Sequence, residues 1–166
     1  AMDTLQGTAL ISATITMGIA AGVYALYVFA IMPGLARTDD RTFVGAFQQI
    51  DTAIVGPFLL VFFFGPLGLA AWAATLHLSN GDDTAFALVT AAVGIQVVMA
   101  LITLTVNVPL NNRIKAAGDP DRITDLASVR QRFNEARWVR WNKVRALAAT
   151  VAFGLLVWAV VLYGAT

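Results

Sequence analysis

Cysteine is absent from this sequence, and histidine occurs once, as His77. No disulfide, thiolate nucleophile or cysteine-ligated metal can contribute. A haem held by two histidines is impossible, although one axial histidine would still be available. Charge is scarce as well. Asp, Glu, Lys and Arg make up 13% of the 166 residues, against roughly a quarter in an ordinary soluble domain. The sequence has no EF-hand, HExxH, CxxC or phosphate-loop motif, no evident internal repeat and no low-complexity stretch. No nucleic-acid partner, metal or cofactor is expected of it.

What is plentiful is hydrocarbon. Hydrophobic residues form 58% of the chain, and the mean hydropathy is +0.73. So few polar groups cannot cover a water-facing surface, so lipid is the expected solvent and membrane lipids the first expected partners. Four apolar runs, at about 5–32, 53–76, 85–110 and 144–163, are each long enough to cross a hydrocarbon core of ~30 Å, which takes about 20 helical residues. None has the two-residue alternation of a barrel strand, and in lipid that leaves the helix as the spanning element. The expected fold is an all-α membrane protein, one domain over 1–166, arranged as a four-transmembrane-helix bundle. The first run has no basic segment before it and no small-residue cleavage site after it, so it is expected to remain as a span.

The net charge of +1 conceals a sharp segregation. Arg37 and Arg41 lie in the first connection, about 33–52. The other nine basic residues, from Arg113 to Arg145, lie in or beside the third, about 111–143. The second connection, from His77 to Asp83, and both termini hold none of the 11. Basic loops stay on the cytoplasmic side. The first and third connections are therefore expected in the cytoplasm and both termini outside, in a bacterial inner membrane.

Amphipathic helices should lead into the second and fourth spans. Thr38-Asp39-Asp40 offers an N-cap, followed by Phe43, Phe47 and Ile50 at helical spacing. Gly118-Asp119-Pro120 breaks the chain after the third span. From Ile123 to Lys143, Leu126, Val129, Phe133, Trp138 and Trp141 alternate with arginines. That pattern predicts a helix at the headgroup level, running without a break into the fourth span. Pro57, Pro66 and Pro109 sit within or at the ends of spans, where kinks free backbone carbonyls.

A few polar or small residues stand out against this background. Gly18 and Gly22 form a GxxxG in the first span, a stripe that lets helices approach closely. Its partner could be a helix of the same chain, since the bundle must pack its own first helix, or a second copy in a homo-oligomer. His77 with Asp82 and Asp83 could ligate a metal, but an interfacial histidine in a polar loop is the plainer reading. The densest polar feature is Thr103, Thr105, Asn107, Asn111 and Asn112 around Pro109. Asn107 and Asn111 are four apart and share a helical face. Buried amides need partners, as does the isolated Gln96. Trp138, Arg140, Trp141, Asn142 and Arg145 on the lead-in to the fourth span are the expected partners. Two readings stand: a structural clamp between helices, and a polar-bottomed pocket open to lipid or cytoplasm.

Met32-Pro-Gly-Leu35, Asn107-Val-Pro-Leu-Asn-Asn112, Arg132-Phe133 and Trp138-Val-Arg-Trp-Asn-Lys-Val-Arg-Ala146 resemble the anthrone-oxygenase-like membrane family over nearly the whole chain. The resemblance implies oxidation of an anthrone to an anthraquinone by O₂ without a cofactor, and it assigns no catalytic residue. The chemistry would require a flat apolar slot, proton removal and stabilisation of an oxyanion. Phe43, Phe47, Trp138 and Trp141 could form stacking walls. Asn107, Asn111, Asn142 and Arg145 could donate hydrogen bonds. Asp39, Asp40, Asp51 and Glu135 are the nearest carboxylates, and nothing in the sequence aims any of them at a pocket; Asp39 and Asp40 read as solvated caps. The competing reading is a non-enzymatic protein that binds a lipid or quinone or supports a complex. A transporter is weaker, because the spans carry few polar residues at mid-membrane.

Overall fold

The computed structural model describes residues 4–78 and 83–165. Among the described residues it is helical without strands. Four helices are long and apolar enough to cross a membrane: α1 (Thr4–Leu35), α3 (Pro57–Leu78), α4 (Thr84–Lys115) and the stretch Leu126–Gly164. The last divides into α5 (Leu126–Phe133) and α6 (Glu135–Gly164). A shorter helix, α2 (Asp40–Ile54), precedes α3.

The spans form an up-down-up-down ring in which α1 packs on α3, α3 on α4, α4 on α6 and α6 on α1. The core of this ring is built largely of alanine. Ala9, Ala13, Ala73, Ala92, Ala149 and Ala152 are fully buried, with Leu10, Met17, Val89 and Leu156 between them. Lipid gives helices no hydrophobic reason to associate, so small residues that permit close backbone approach must supply the packing. Large side chains face outward instead, among them Phe29 at 80% and Leu147 at 69% exposure. A second, aromatic core occupies the basic end, where Phe43, Phe47, Phe133 and Trp138 interlock.

Local chemistry explains how α2 and α5 are held there. Asp39 caps α2 by accepting from the Thr42 N–H at 2.9 Å. Its buried face reads Phe43, Val44, Phe47, Gln48, Asp51, the spacing of one helical stripe. Gln48 donates to the carbonyls of Ile114 (2.8 Å) and Gly118 (3.0 Å), which satisfies the end of α4. Gly118 takes φ 82 there, a conformation that favours glycine. Arg130 of α5 spans three elements. It donates to the carbonyls of Ala36 and Thr38, pairs with Asp40 and Glu135, and lies 4.2 Å above the Phe43 ring.

The expected unbroken run from Ile123 into the fourth span is not what forms. Asn134 adopts a left-handed conformation (φ 57, ψ 63), ending α5. Its side chain then accepts from the Arg137 N–H at 3.2 Å to cap α6. Asparagine tolerates that conformation, and one residue thus serves both helix ends.

Prolines shape the other three spans in a common way. Single π turns cover Tyr27–Ile31, Leu60–Phe64 and Thr103–Asn107, ending two residues before Pro33, Pro66 and Pro109. The N–H groups of Met32, Gly65 and Val108 reach back five residues, to Tyr27, Leu60 and Thr103. A proline offers no N–H and crowds the carbonyl four residues earlier. Widening the turn by one residue accommodates both defects without ending the helix. Pro57 produces no kink, because it occupies the first turn of α3, where its missing N–H is not needed.

Candidate functional site

The three π turns surround a cavity of about 420 Å³ in the basic half of the bundle, within the ~300–1,000 Å³ of small-molecule sites. Its walls are apolar: Val23 and Tyr27 of α1, Phe47 and Ile54 of α2, Phe58, Leu59, Phe62 and Phe63 of α3, and Leu104 and Val108 of α4. Two polar groups interrupt them.

The inner group centres on Arg145 of α6, which is 5% exposed. Its guanidinium donates to Thr103 Oγ1 at 3.0 Å and Asn142 Oδ1 at 2.9 Å. It lies 4.9 Å from the Tyr24 ring centroid and 5.7 Å from that of Trp138. Asn142 in turn donates to the Tyr24 carbonyl at 3.4 Å. Among the described residues no carboxylate pairs with this arginine, and its Nε has no partner. A buried cation on neutral partners is costly to desolvate, so the arrangement is poised to accept an anion.

The outer group is an ordered chain. Trp138 donates its indole N–H to Asn111 Oδ1 at 2.7 Å, and Asn111 Nδ2 donates to Asp51 Oδ1 at 2.6 Å. Lys115 pairs with the other oxygen of Asp51 at 2.6 Å. Asp51 and Lys115 cancel, so with Arg145 the lining carries one net positive charge.

Of the residues singled out from sequence, Phe47, Thr103, Asn111, Asn112, Trp138, Asn142 and Arg145 line this cavity. Asn107, Phe43 and Trp141 do not. Asn107 is 1% exposed and donates to the Trp138 carbonyl at 3.4 Å; it stands behind the wall as a clamp. Together Asn107 and Asn111 hold Trp138 by its backbone and its indole. Phe43 is fully buried under Arg130, and Trp141 packs partly buried against the aromatic core.

The two glycines of the first span differ. A Cβ on Gly18 would lie 2.8 Å from Cε2 of Phe153 on α6, so this is an intramolecular close approach. Among the described residues, no atom beyond its own stretch of helix comes within 4 Å of a Cβ on Gly22. His77 is not a loop residue: it is 2% exposed in the last turn of α3, with Nδ1 2.8 Å from the Ala73 carbonyl and its ring against Tyr163. Asp82 and the side chain of Asp83 lie outside the described residues. Among those described, no three His, Cys, Asp or Glu side chains cluster as a metal site.

The carboxylates sort themselves by geometry. Asp40 and Glu135 pair with Arg130. Asp39 caps α2 in solvent, and hydrogen bonds from the Thr42 N–H and hydroxyl hold its carboxyl below the usual range. Asp51 alone of the four lines the cavity. Sequence reasoning underrated it and passed over Lys115, Tyr24 and Tyr27. A signal was present: Asp51 follows Phe47 by four residues, a carboxylate on the apolar stripe of an amphipathic helix.

No curated protein and no solved structure matches the chain. The anthrone oxygenase family model matches residues 58–155, a region that contains Thr103, Asn111, Lys115, Trp138, Asn142 and Arg145 of the cavity. By that match, over more than half its length, the chain belongs to the anthrone oxygenase family.

Proposed function

We propose that the protein is a membrane-embedded, cofactor-independent oxygenase acting on a lipophilic reduced aromatic, of anthrone or quinol type. The observation that carries this reading is Arg145: a buried cation with only neutral partners, lining an otherwise apolar cavity. A flat aromatic fits apolar and aromatic walls. The anion formed from it by proton loss fits the guanidinium.

Asp51 is the base in this reading. It faces the cavity, Asn111 and Lys115 fix its orientation, and a general base must be held within reach of the proton it removes. Proton loss from the ring methylene leaves an electron-rich anion, held by Arg145 and Asn142. That anion passes one electron to O₂. The resulting carbon radical and superoxide combine to form a C–O bond, and the peroxide takes up a proton. Loss of the second methylene proton with cleavage of the O–O bond leaves the ketone and water. One O₂ is consumed per quinone formed.

The chain sits in this proposal in a bacterial inner membrane, basic connections in the cytoplasm and both termini outside. Support comes from the concentration of Lys and Arg at the cavity end, since basic connections stay on the cytoplasmic side. Substrate would enter from lipid, and Lys115, 31% exposed, would hand protons to the cytoplasm. In lipid nanodiscs, anthrone and O₂ should give quinone absorbance and oxygen uptake above the rate in protein-free discs. Asp51→Asn and Arg145→Met should remove the excess. A rate equal to the protein-free control overturns the proposal. Saturable binding without turnover would favour the alternative, a lipid- or quinone-binding or complex-supporting protein.

A further inference from the structure

A second and much smaller cavity, about 20 Å³, lies deeper in the bundle between α1, α3 and α4. It shares Ala20, Tyr24, Phe62 and Phe63 with the large cavity, so the two adjoin at these side chains. Beyond those residues its lining is mainly Met17, Met99, Leu67 and Ala100.

The dimensions and chemistry select a narrow class of occupant. The space admits one small molecule, since about 10–15 Å³ on this measure suffices for a water. A water, however, needs two to four polar partners. The polar side chains here are Tyr24 and Gln96, and Gln96 Nε2 is directed to the Ala92 carbonyl of its own helix at 3.3 Å. An apolar diatomic needs no partner and dissolves in the surrounding hydrocarbon. We infer that this small cavity is a holding site for dioxygen beside the aromatic site.

The inference rests on the oxygenase reading and adds a place for its second substrate. Tyr24 belongs to both cavities, and the Arg145 guanidinium lies 4.9 Å from its ring. Dioxygen leaving this cavity past Tyr24 therefore enters the aromatic site directly and takes the electron from the bound anion there. The superoxide so formed lies beside Arg145, which lines the large cavity, and against the carbon radical with which it combines. Separating the gas site from the aromatic site also lets both substrates bind together before they react.

The methionines provide a probe that does not depend on turnover. Met17 and Met99 line the small cavity, whereas Met32 is equally buried in the aromatic core. In ¹³C-methyl-methionine spectra of the full chain in nanodiscs, paramagnetic O₂ should broaden Met17 and Met99 selectively over Met32. Xenon should shift the same two methyls saturably in the unaltered protein. Ala100→Leu, which intrudes on this cavity alone, should abolish the selective broadening and raise the KM for O₂ while aromatic binding is kept. Broadening of Met17 and Met99 no greater than that of Met32, or a linear xenon response, overturns the gas site. Selective broadening without anthrone oxidation would leave the gas site standing and remove the oxygenase reading; oxidation without it would do the reverse.

Discussion

Replacing Arg145 with methionine distinguishes a ligand site from a structural clamp, because the two roles predict different balances between lost stability and lost binding. In the unliganded protein the guanidinium makes two hydrogen bonds, to Thr103 and Asn142. Charge-assisted bonds contribute about 1.5–3 kcal/mol each, while desolvating the ion costs several kcal/mol, so their removal together should leave stability within roughly 2 kcal/mol of the parent. An arginine whose role was to clamp α6 to α4 would on removal leave Thr103 and Asn142 unpaired in the interior, at a cost of about 1–3 kcal/mol each, or roughly 2–6 kcal/mol together. Binding is the second measure. An ionised hydroxyanthraquinone loses at least one charge-assisted hydrogen bond in the variant, about 1.5–3 kcal/mol, or roughly 10- to 150-fold in Kd. Melting can be followed by the fluorescence of the four tryptophans, and binding by its quenching. A Kd raised less than threefold, or a stability loss in the clamp range, would refute the reasoning.

Other perturbations test separate links. Asp51→Asn should lower anthrone turnover by about 10²–10⁴-fold, the usual contribution of a positioned base, with product affinity little changed; undiminished turnover would exclude Asp51 as the base. Gly18→Ala brings a Cβ to 2.8 Å from Phe153 and should cost about 1–3 kcal/mol by overpacking, whereas Gly22→Ala meets open space and should stabilise by up to about 1 kcal/mol; parallel thermal melts compare them. The Asp39 carboxyl has a lowered pKa because its charged form accepts hydrogen bonds from Thr42. Its cap on α2 is therefore present above the unfolded carboxylate pKa and lost as pH falls through the lower folded value. Amide exchange at Thr42 should accelerate on that acid side, and Asp39→Ala should remove the pH dependence.

Some of the site could be read one element at a time. Asp39 as an N-cap and the stripe Phe43–Phe47 of α2 follow from helical spacing, and the structure shows both. Trp138, Asn142 and Arg145 share a face of α6, and all three reach the cavity. The break at Asn134 escaped notice because no neighbouring glycine or proline announces it, and the left-handed turn is sustained by a side chain that caps the next helix. Asn107 and Asn111 look equivalent in sequence. Only the position of Trp138 separates them, placing Asn107 behind the ring and Asn111 at the cavity.

The sequence by itself determined that four helices should span a membrane. Hydrocarbon is a uniform solvent, and each backbone must satisfy itself within its own segment, so local composition is enough. The tertiary structure alone decided which polar groups meet. Asp51 pairs with Lys115 sixty-four residues away, and Arg145 rests on Tyr24 from the opposite end of the chain. Such pairings depend on the order of helices around the ring and on the three π turns that set the angle of each. The prolines beside the π turns are local signals, but which helices meet around the ring is not encoded in any one segment.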